Sequence, residues 1–114
     1  MVIYMNSNTT TKPLVCDMGV FTPSEREDHI QSTTQLYQSV QSIHEVENGY
    51  EFTFPNESEI IANLGKFISN ERLCCPFLEF TLKITSTNAP ISLLLTGPEG
   101  TPEFLRAEFT EAFL

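Results

Sequence analysis

The sequence has few basic residues. Six Lys and Arg stand against fifteen Asp and Glu among 114 residues, which gives a net charge of −9. A surface this acidic repels phosphate backbones and anionic membranes, so we expect neither nucleic acid nor a membrane as a partner. No window is apolar enough to span a bilayer, and the apolar start at residues 1–5 is too short for a signal peptide. We therefore predict a cytoplasmic protein, in which thiols stay reduced.

Cysteine is scarce, and its arrangement excludes several kinds of site. The three cysteines are an odd number, and two of them, Cys74 and Cys75, are adjacent, which is a poor disulfide framework. A bridge between neighbours is strained because disulfides need a wider Cα separation. The spacing also lacks the paired C-x₂-C or His partners of a structural zinc site.

Recognisable catalytic motifs are also missing. The sequence contains no Ser/His/Asp set, and its Gly-Pro-Glu-Gly turn at residues 97–100 lacks the lysine and hydroxyl of a phosphate-binding loop. We therefore assign no catalytic residue and favour a binding or structural role over an enzyme.

The length suits one domain with a single core. We place this domain at residues 13–114, after a poorly ordered polar lead-in at residues 1–12. The periodicity of apolar residues predicts the element order α-β-β-α-β-β-α. Two antiparallel hairpins with helices before, between and after them predict an α+β two-layer sandwich, with helices on one face of a four-stranded sheet.

Capping residues predict where the helices begin. Thr22 precedes a proline, and Glu25 follows three residues later, as in a capping box. Asn56 and Glu59 repeat this signature before the second helix. The spacing of apolar residues predicts that the first helix buries one stripe, formed by Ile30, Thr33, Leu36, Tyr37 and Val40.

The first hairpin is expected to turn around Asn48 and Gly49. A three-residue loop with a left-handed Gly49 places Val46 opposite Tyr50 and buries fewer acids than a two-residue turn does, so we predict that loop. The aromatic residues near Tyr50 and the apolar tail at residues 109–114 predict an exposed patch, and hence a homodimer.

Most of the reactive side chains lie at residues 70–77, which end the second helix and begin a strand. Glu71 falls on the apolar stripe of that helix, on the same face as the cysteine pair. Pro76 disfavours helix at Cys75 and forces an extended exit. The negative end of the helix dipole raises the pKa of a thiol placed there, which argues against an activated thiolate.

These residues allow two interpretations. Cys74 and Cys75 are either small buried hydrophobic residues or ligands of a soft metal ion, with Cys16 completing a three-sulfur set. Glu71 and Arg72 either form a structural pair at the helix end or line a pocket beside the thiols. His29 and His44 are each expected to be packing residues.

Five short segments, at residues 16–17, 22–26, 71–78, 95–100 and 104–105, carry a resemblance. Their most distinctive piece is Cys-Cys-Pro-Phe at residues 74–77. Together they resemble a family of small uncharacterised bacterial proteins with this motif, for which no activity is established. The resemblance implies that one set of residues belongs together in the family's pattern, namely Cys16, Glu71, Arg72, Cys74 and Cys75. In addition, His29 matches a position where that family has a histidine.

We therefore expect a binding module for a soft metal or metalloid ion, with Cys16, Cys74 and Cys75 as its ligands and Glu71, Arg72 and His29 around them. The alternative is a structural or protein-interaction domain, dimeric, in which the cysteines are buried and inert. The sequence names no other cofactor or small ligand.

Overall fold

The computed structural model describes residues 14–113, with side chains described up to Phe109. Three helices and four strands follow one another in the order α-β-β-α-β-β-α, which confirms the predicted α+β class. They are α1 Pro23–Gln38, β1 Ser42–Val46, β2 Gly49–Phe54, α2 Ser58–Cys74, β3 Glu79–Lys83, β4 Ile91–Thr96 and α3 Thr101–Phe113. The predicted lead-in at residues 1–12 lies outside the described residues. No helix within residues 14–113 has the length and apolar character needed to cross a bilayer.

The strands form one antiparallel sheet in the order β1-β2-β4-β3. Because side chains alternate across a strand, every second residue of β2 and β4 points toward the helices and is buried. The inward side chains of these two strands are Tyr50, Phe52, Phe54, Ile91, Leu93 and Leu95. The opposite face is polar; there the Ser92 hydroxyl donates a hydrogen bond to the Glu51 carboxylate at 2.7 Å.

The start of α1 and the buried face of α2 agree with their sequences. At the start of α1, the Thr22 Oγ1 accepts a hydrogen bond from the Glu25 N–H, and the Glu25 carboxylate accepts one from the Thr22 N–H, which confirms the capping box. In α2, the buried face is formed by residues three, four or seven positions apart, namely Ile60, Leu64, Phe67 and Cys74. This face joins the inward side of the sheet in one core.

The first hairpin turns over two residues, Glu47 and Asn48, so the predicted three-residue loop is wrong. Asn48 takes the left-handed conformation, with φ of 61°, which asparagine tolerates better than most residues. Gly49 is needed for a different reason, since a Cβ there would collide with the backbone carbonyl of Leu95 on the neighbouring strand.

The two-residue turn places Glu45, rather than Val46, opposite Tyr50. The acid is accommodated because β1 is an edge strand, where Glu45 keeps half of its side chain exposed. Its carboxylate accepts hydrogen bonds from the Arg106 guanidinium at 2.9 Å and from the Tyr50 hydroxyl at 3.4 Å. A cation from α3, distant in sequence, thus outweighs the preference for fewer acids on this face.

Asn56 does not cap α2. The residue at the N-cap is Glu57, which makes no side-chain capping hydrogen bond. The Asn56 amide instead donates hydrogen bonds to the backbone carbonyls of Ser86 and Ala89. It therefore fixes the loop between β3 and β4 against the start of α2.

The buried stripe of α1 also differs from the prediction at its first turns. Ile30 is 53% exposed, whereas its neighbour His29 is only 3% exposed. Leu36, at 4%, is buried as expected. The start of α1 is therefore rotated so that a histidine, and not the isoleucine, faces α2.

The aromatic residues near Tyr50 do not form an exposed patch. The Phe109 ring of α3 packs edge-on against Tyr50 and Phe52, with ring centroids 5.1 Å and 4.8 Å apart. All three side chains are buried. The aromatic part of the predicted patch is therefore wrong. The side chains of residues 110–114, in its tail part, lie outside the described ones, and the homodimer stays a prediction.

The rotated face of α1 can be tested with two alanine substitutions in one helix. We expect Leu36→Ala to lower the free energy of unfolding by about 2–5 kcal/mol, because it leaves a cavity in the core. Ile30→Ala, at an exposed site, should lower it by less than about 1 kcal/mol. Urea titrations of both variants measure this difference; a larger loss for Ile30→Ala would contradict the described face.

Candidate functional site

The candidate site lies where α2 ends. Cys74 is the last residue of the helix and Cys75 follows as its C-cap, with the Cys75 N–H donating to the Glu71 carbonyl at 2.8 Å. Pro76 comes next and cannot continue the helical hydrogen bonding. The predicted end of this helix is confirmed, and it fixes both cysteines at the junction between α2 and the sheet.

Cys16, in the segment before α1, lies against this junction and is joined to Cys75 by a disulfide. The Asp17 N–H donates a hydrogen bond to the Cys74 carbonyl at 2.7 Å, so the backbones are tied together as well. The expectation of three reduced cysteines is wrong for this structure, because the bonding partner of Cys75 comes from a segment 59 residues away and not from its neighbour. Closing a loop of that length stabilises the fold by about 4 kcal/mol in the chain-entropy account.

Cys74 remains a free thiol. Its side chain is 1% exposed, and its Sγ lies 3.5 Å from the Sγ of Cys75. Burial, and after it the nearby Glu71 carboxylate, raise the pKa of the Cys74 thiol to about 12. The thiol is therefore protonated at neutral pH, in line with the prediction that no activated thiolate forms here.

The Glu71 carboxylate lies among the sulfur atoms and a histidine. Its Oε1 accepts a hydrogen bond from His29 Nε2 at 2.8 Å and lies 3.6 Å from the Cys74 Sγ. Its Oε2 lies 3.5 Å from the Cys75 Sγ. Among the described residues the ion pair of Glu71 is with His29 and not with Arg72, which is exposed, so the predicted pair at the helix end is wrong.

His29 reaches Glu71 from α1 across an apolar layer. Its ring lies between those of Phe21 and Phe67, with centroids 5.3 Å and 6.1 Å away. Nε2 is bonded to Glu71, whereas Nδ1 is buried and has no hydrogen-bond partner among the described residues. The Thr33 Oγ1, one turn further along α1, is also buried and without such a partner.

The site thus assembles five of the six residues that the sequence predicted for it: Cys16, His29, Glu71, Cys74 and Cys75. Arg72 is on the last turn of α2 but points into solvent. Possible ligand atoms of His29, Glu71 and Cys74 all lie within 4.8 Å of one another. The arrangement offers nitrogen, oxygen and sulfur donors, of the kinds that bind transition metals.

A surface groove lies next to the site, between the segment before α1 and the last turns of α2. Its lining residues are Val20, Phe21, Glu25, Asp28, Asn70 and Leu73. Phe21 forms both part of this groove and part of the packing on His29. Sequence reasoning missed the groove, because its two sides are about fifty residues apart in the chain.

No family model, curated protein or solved structure matches this chain.

The influence of Glu71 on Cys74 can be measured directly. Glu71→Gln removes a negative charge, so we expect the pKa of Cys74 to fall below about 12 while burial still keeps it raised. The thiolate then forms at lower pH. The Cβ carbon-13 shift of Cys74, followed by NMR against pH in the disulfide-bonded protein, reports this change.

Glu59→Gln, in the first turn of the same helix, is the matched control and should leave the Cys74 titration unchanged. If both variants titrate like the unmodified protein, the Glu71 carboxylate does not act on the thiol.

Proposed function

We propose that the protein, once its thiols are reduced, binds a soft metal or metalloid ion through Cys16, Cys74 and Cys75. Glu71 and His29 form the surroundings of this site. The proposal places the protein in the cytoplasm, where thiols are kept reduced. It describes a binding module and assigns no reaction to it.

The observation that carries the proposal is the contact among the three sulfur atoms. Cys75 is bonded to Cys16, and its Sγ is 3.5 Å from that of Cys74. Sulfur ligands of one ion, each about 2.3 Å from the metal, are separated by about 4 Å. Reduction of the disulfide therefore frees the Cys75 thiol beside Cys74 and the Cys16 thiol beside Cys75.

Charge also supports a cation at this place. The Glu71 carboxylate is only 19% exposed and lies within 3.6 Å of two sulfur atoms. Thiolates formed there add further negative charge in a poorly solvated environment, which is unfavourable unless a cation neutralises it. The Glu71 charge that disfavours a bare Cys74 thiolate thus favours a cation, and a bound cation in turn favours the thiolate.

Burial of the cysteines favours a second candidate function. Cys74 and Cys75 are each 1% exposed, and Cys74 has a raised thiol pKa. Such thiols are also found as inert parts of a core. In that case the protein is a structural or protein-interaction domain that forms a homodimer.

A titration with Cd²⁺ separates the two candidates. We expect the protein treated with a dithiol reductant, and then freed from it, to bind one Cd²⁺ with thiolate-to-metal absorption in the ultraviolet. Cys74→Ser and Cys75→Ser should each weaken binding at least about tenfold. Loss of a residue that only hydrogen-bonds to a metal ligand already weakens binding by about this factor. His44→Ala, at the exposed second histidine on β1, is the control and should bind as the unmodified protein does.

Absence of Cd²⁺ binding by the reduced protein would contradict the proposed function. So would binding that is unchanged in both serine variants. Either result favours the structural domain, for which light scattering would then measure the oligomeric state.

A further inference from the structure

The disulfide-bonded form contains its own set of metal ligands. We propose that in this form His29, Glu71 and Cys74 bind one divalent ion of intermediate softness, such as Zn²⁺. The site is distinct from the three-sulfur set because neither Cys16 nor Cys75 contributes to it. It therefore does not depend on reduction of the protein.

The positions of the three donor atoms fit a small ion. His29 Nε2 and Glu71 Oε1 are 2.8 Å apart, Glu71 Oε1 and Cys74 Sγ are 3.6 Å apart, and the whole set lies within 4.8 Å. In a tetrahedral zinc site, with bonds of about 2.0–2.3 Å, neighbouring ligand atoms are roughly 3.3–3.8 Å apart. Shifts of about 1 Å or less in these side chains bring all three onto one ion. A water molecule can supply the fourth ligand, as in zinc sites with three protein ligands.

The donor types and their charges also match such an ion. Imidazole, carboxylate and thiolate are the three side-chain groups that bind zinc in proteins. A divalent ion cancels the charges of one carboxylate and one thiolate, and a neutral His29 adds none. The buried site is then electrically neutral, which removes most of the penalty for placing these charges in the core.

The fold offers an approach for a cation. Glu71, with 19% of its side chain exposed, is the ligand closest to solvent, whereas His29 and Cys74 are almost fully buried. The adjoining groove carries Glu25 and Asp28, and the Asp28 carboxylate is already paired with Lys66 at 2.8 Å. Glu25 and the net charge of −9 draw cations toward the surface above the site.

Reduction of the disulfide should change which metal ion the protein prefers, and this step rests on the proposed function. A dithiol reductant that gives two electrons and two protons to the Cys16–Cys75 disulfide becomes a disulfide itself and leaves two thiols. The ligands then change from one nitrogen, one oxygen and one sulfur to three sulfurs. Because thiolate-rich sites prefer softer ions, reduction should shift the metal preference from Zn²⁺ toward Cd²⁺.

Co²⁺ is the probe for the disulfide-bonded form, since its absorption reports both geometry and thiolate bonding. We expect the oxidised full-length protein to bind one Co²⁺ with visible bands of a four-coordinate ion and a thiolate-to-cobalt band in the near ultraviolet. Zn²⁺ should displace it. Cys74→Ser should abolish the thiolate band, and Glu71→Gln should weaken binding at least about tenfold.

Control variants separate loss of the site from loss of the fold. His44→Ala and Glu59→Gln change a histidine and a glutamate outside the site and should bind Co²⁺ normally. His29→Gln keeps a polar side chain of similar size and should also weaken binding at least about tenfold. Circular dichroism checks that each variant is folded.

The proposal is overturned if the oxidised protein binds no Co²⁺. It is also overturned if the bound Co²⁺ gives an octahedral spectrum without a thiolate band, or if the thiolate band survives in Cys74→Ser. The two proposals fail separately. Co²⁺ binding by the oxidised protein without Cd²⁺ binding by the reduced protein contradicts the proposed function only, and the reverse result contradicts this inference only.

Discussion

The structure of the site depends on one connection between the segment before α1 and the end of α2. It consists of the Cys16–Cys75 disulfide and the hydrogen bond from the Asp17 N–H to the Cys74 carbonyl. It holds the start of α1 close to the end of α2, since Thr22 caps α1 only six residues after Cys16. The first turns of α1 are thereby placed over α2, and His29 reaches Glu71.

A partly buried carboxylate then decides what the neighbouring groups can do. Glu71 interrupts the apolar face of α2, and such a charge needs a partner in the protein. His29 provides one through the 2.8 Å hydrogen bond, and the sulfur atoms of Cys74 and Cys75 lie within 3.6 Å on the other side. The same charge that disfavours a thiolate at Cys74 favours a cation there. The Cys74 side chain is thus a protonated thiol without a cation and a thiolate ligand when a cation is bound.

Local signals in the sequence predicted much of the fold. The capping box at Thr22, the buried face of α2 and the helix end at Pro76 each depend on residues within a few positions, and each is confirmed. Predictions failed where a distant residue decides the outcome. The hairpin register depends on Arg106 from α3, and the burial of His29 depends on Glu71, which lies 42 residues away. The cysteines of the site were recognised, but no spacing indicated that Cys16 pairs with Cys75.

The position of the disulfide is the most direct test, because this bond joins the segment before α1 to the end of α2, where Glu71 and Cys74 lie. The protein is first oxidised with a small-molecule disulfide, and its free thiols are alkylated after unfolding, without reduction. It is then digested and sequenced by tandem mass spectrometry, in which fragmentation distinguishes residues 74 and 75. We predict a cross-link between Cys16 and Cys75, with the alkyl group on Cys74. A cross-link from Cys16 to Cys74, one between Cys74 and Cys75, or three alkylated cysteines would contradict it.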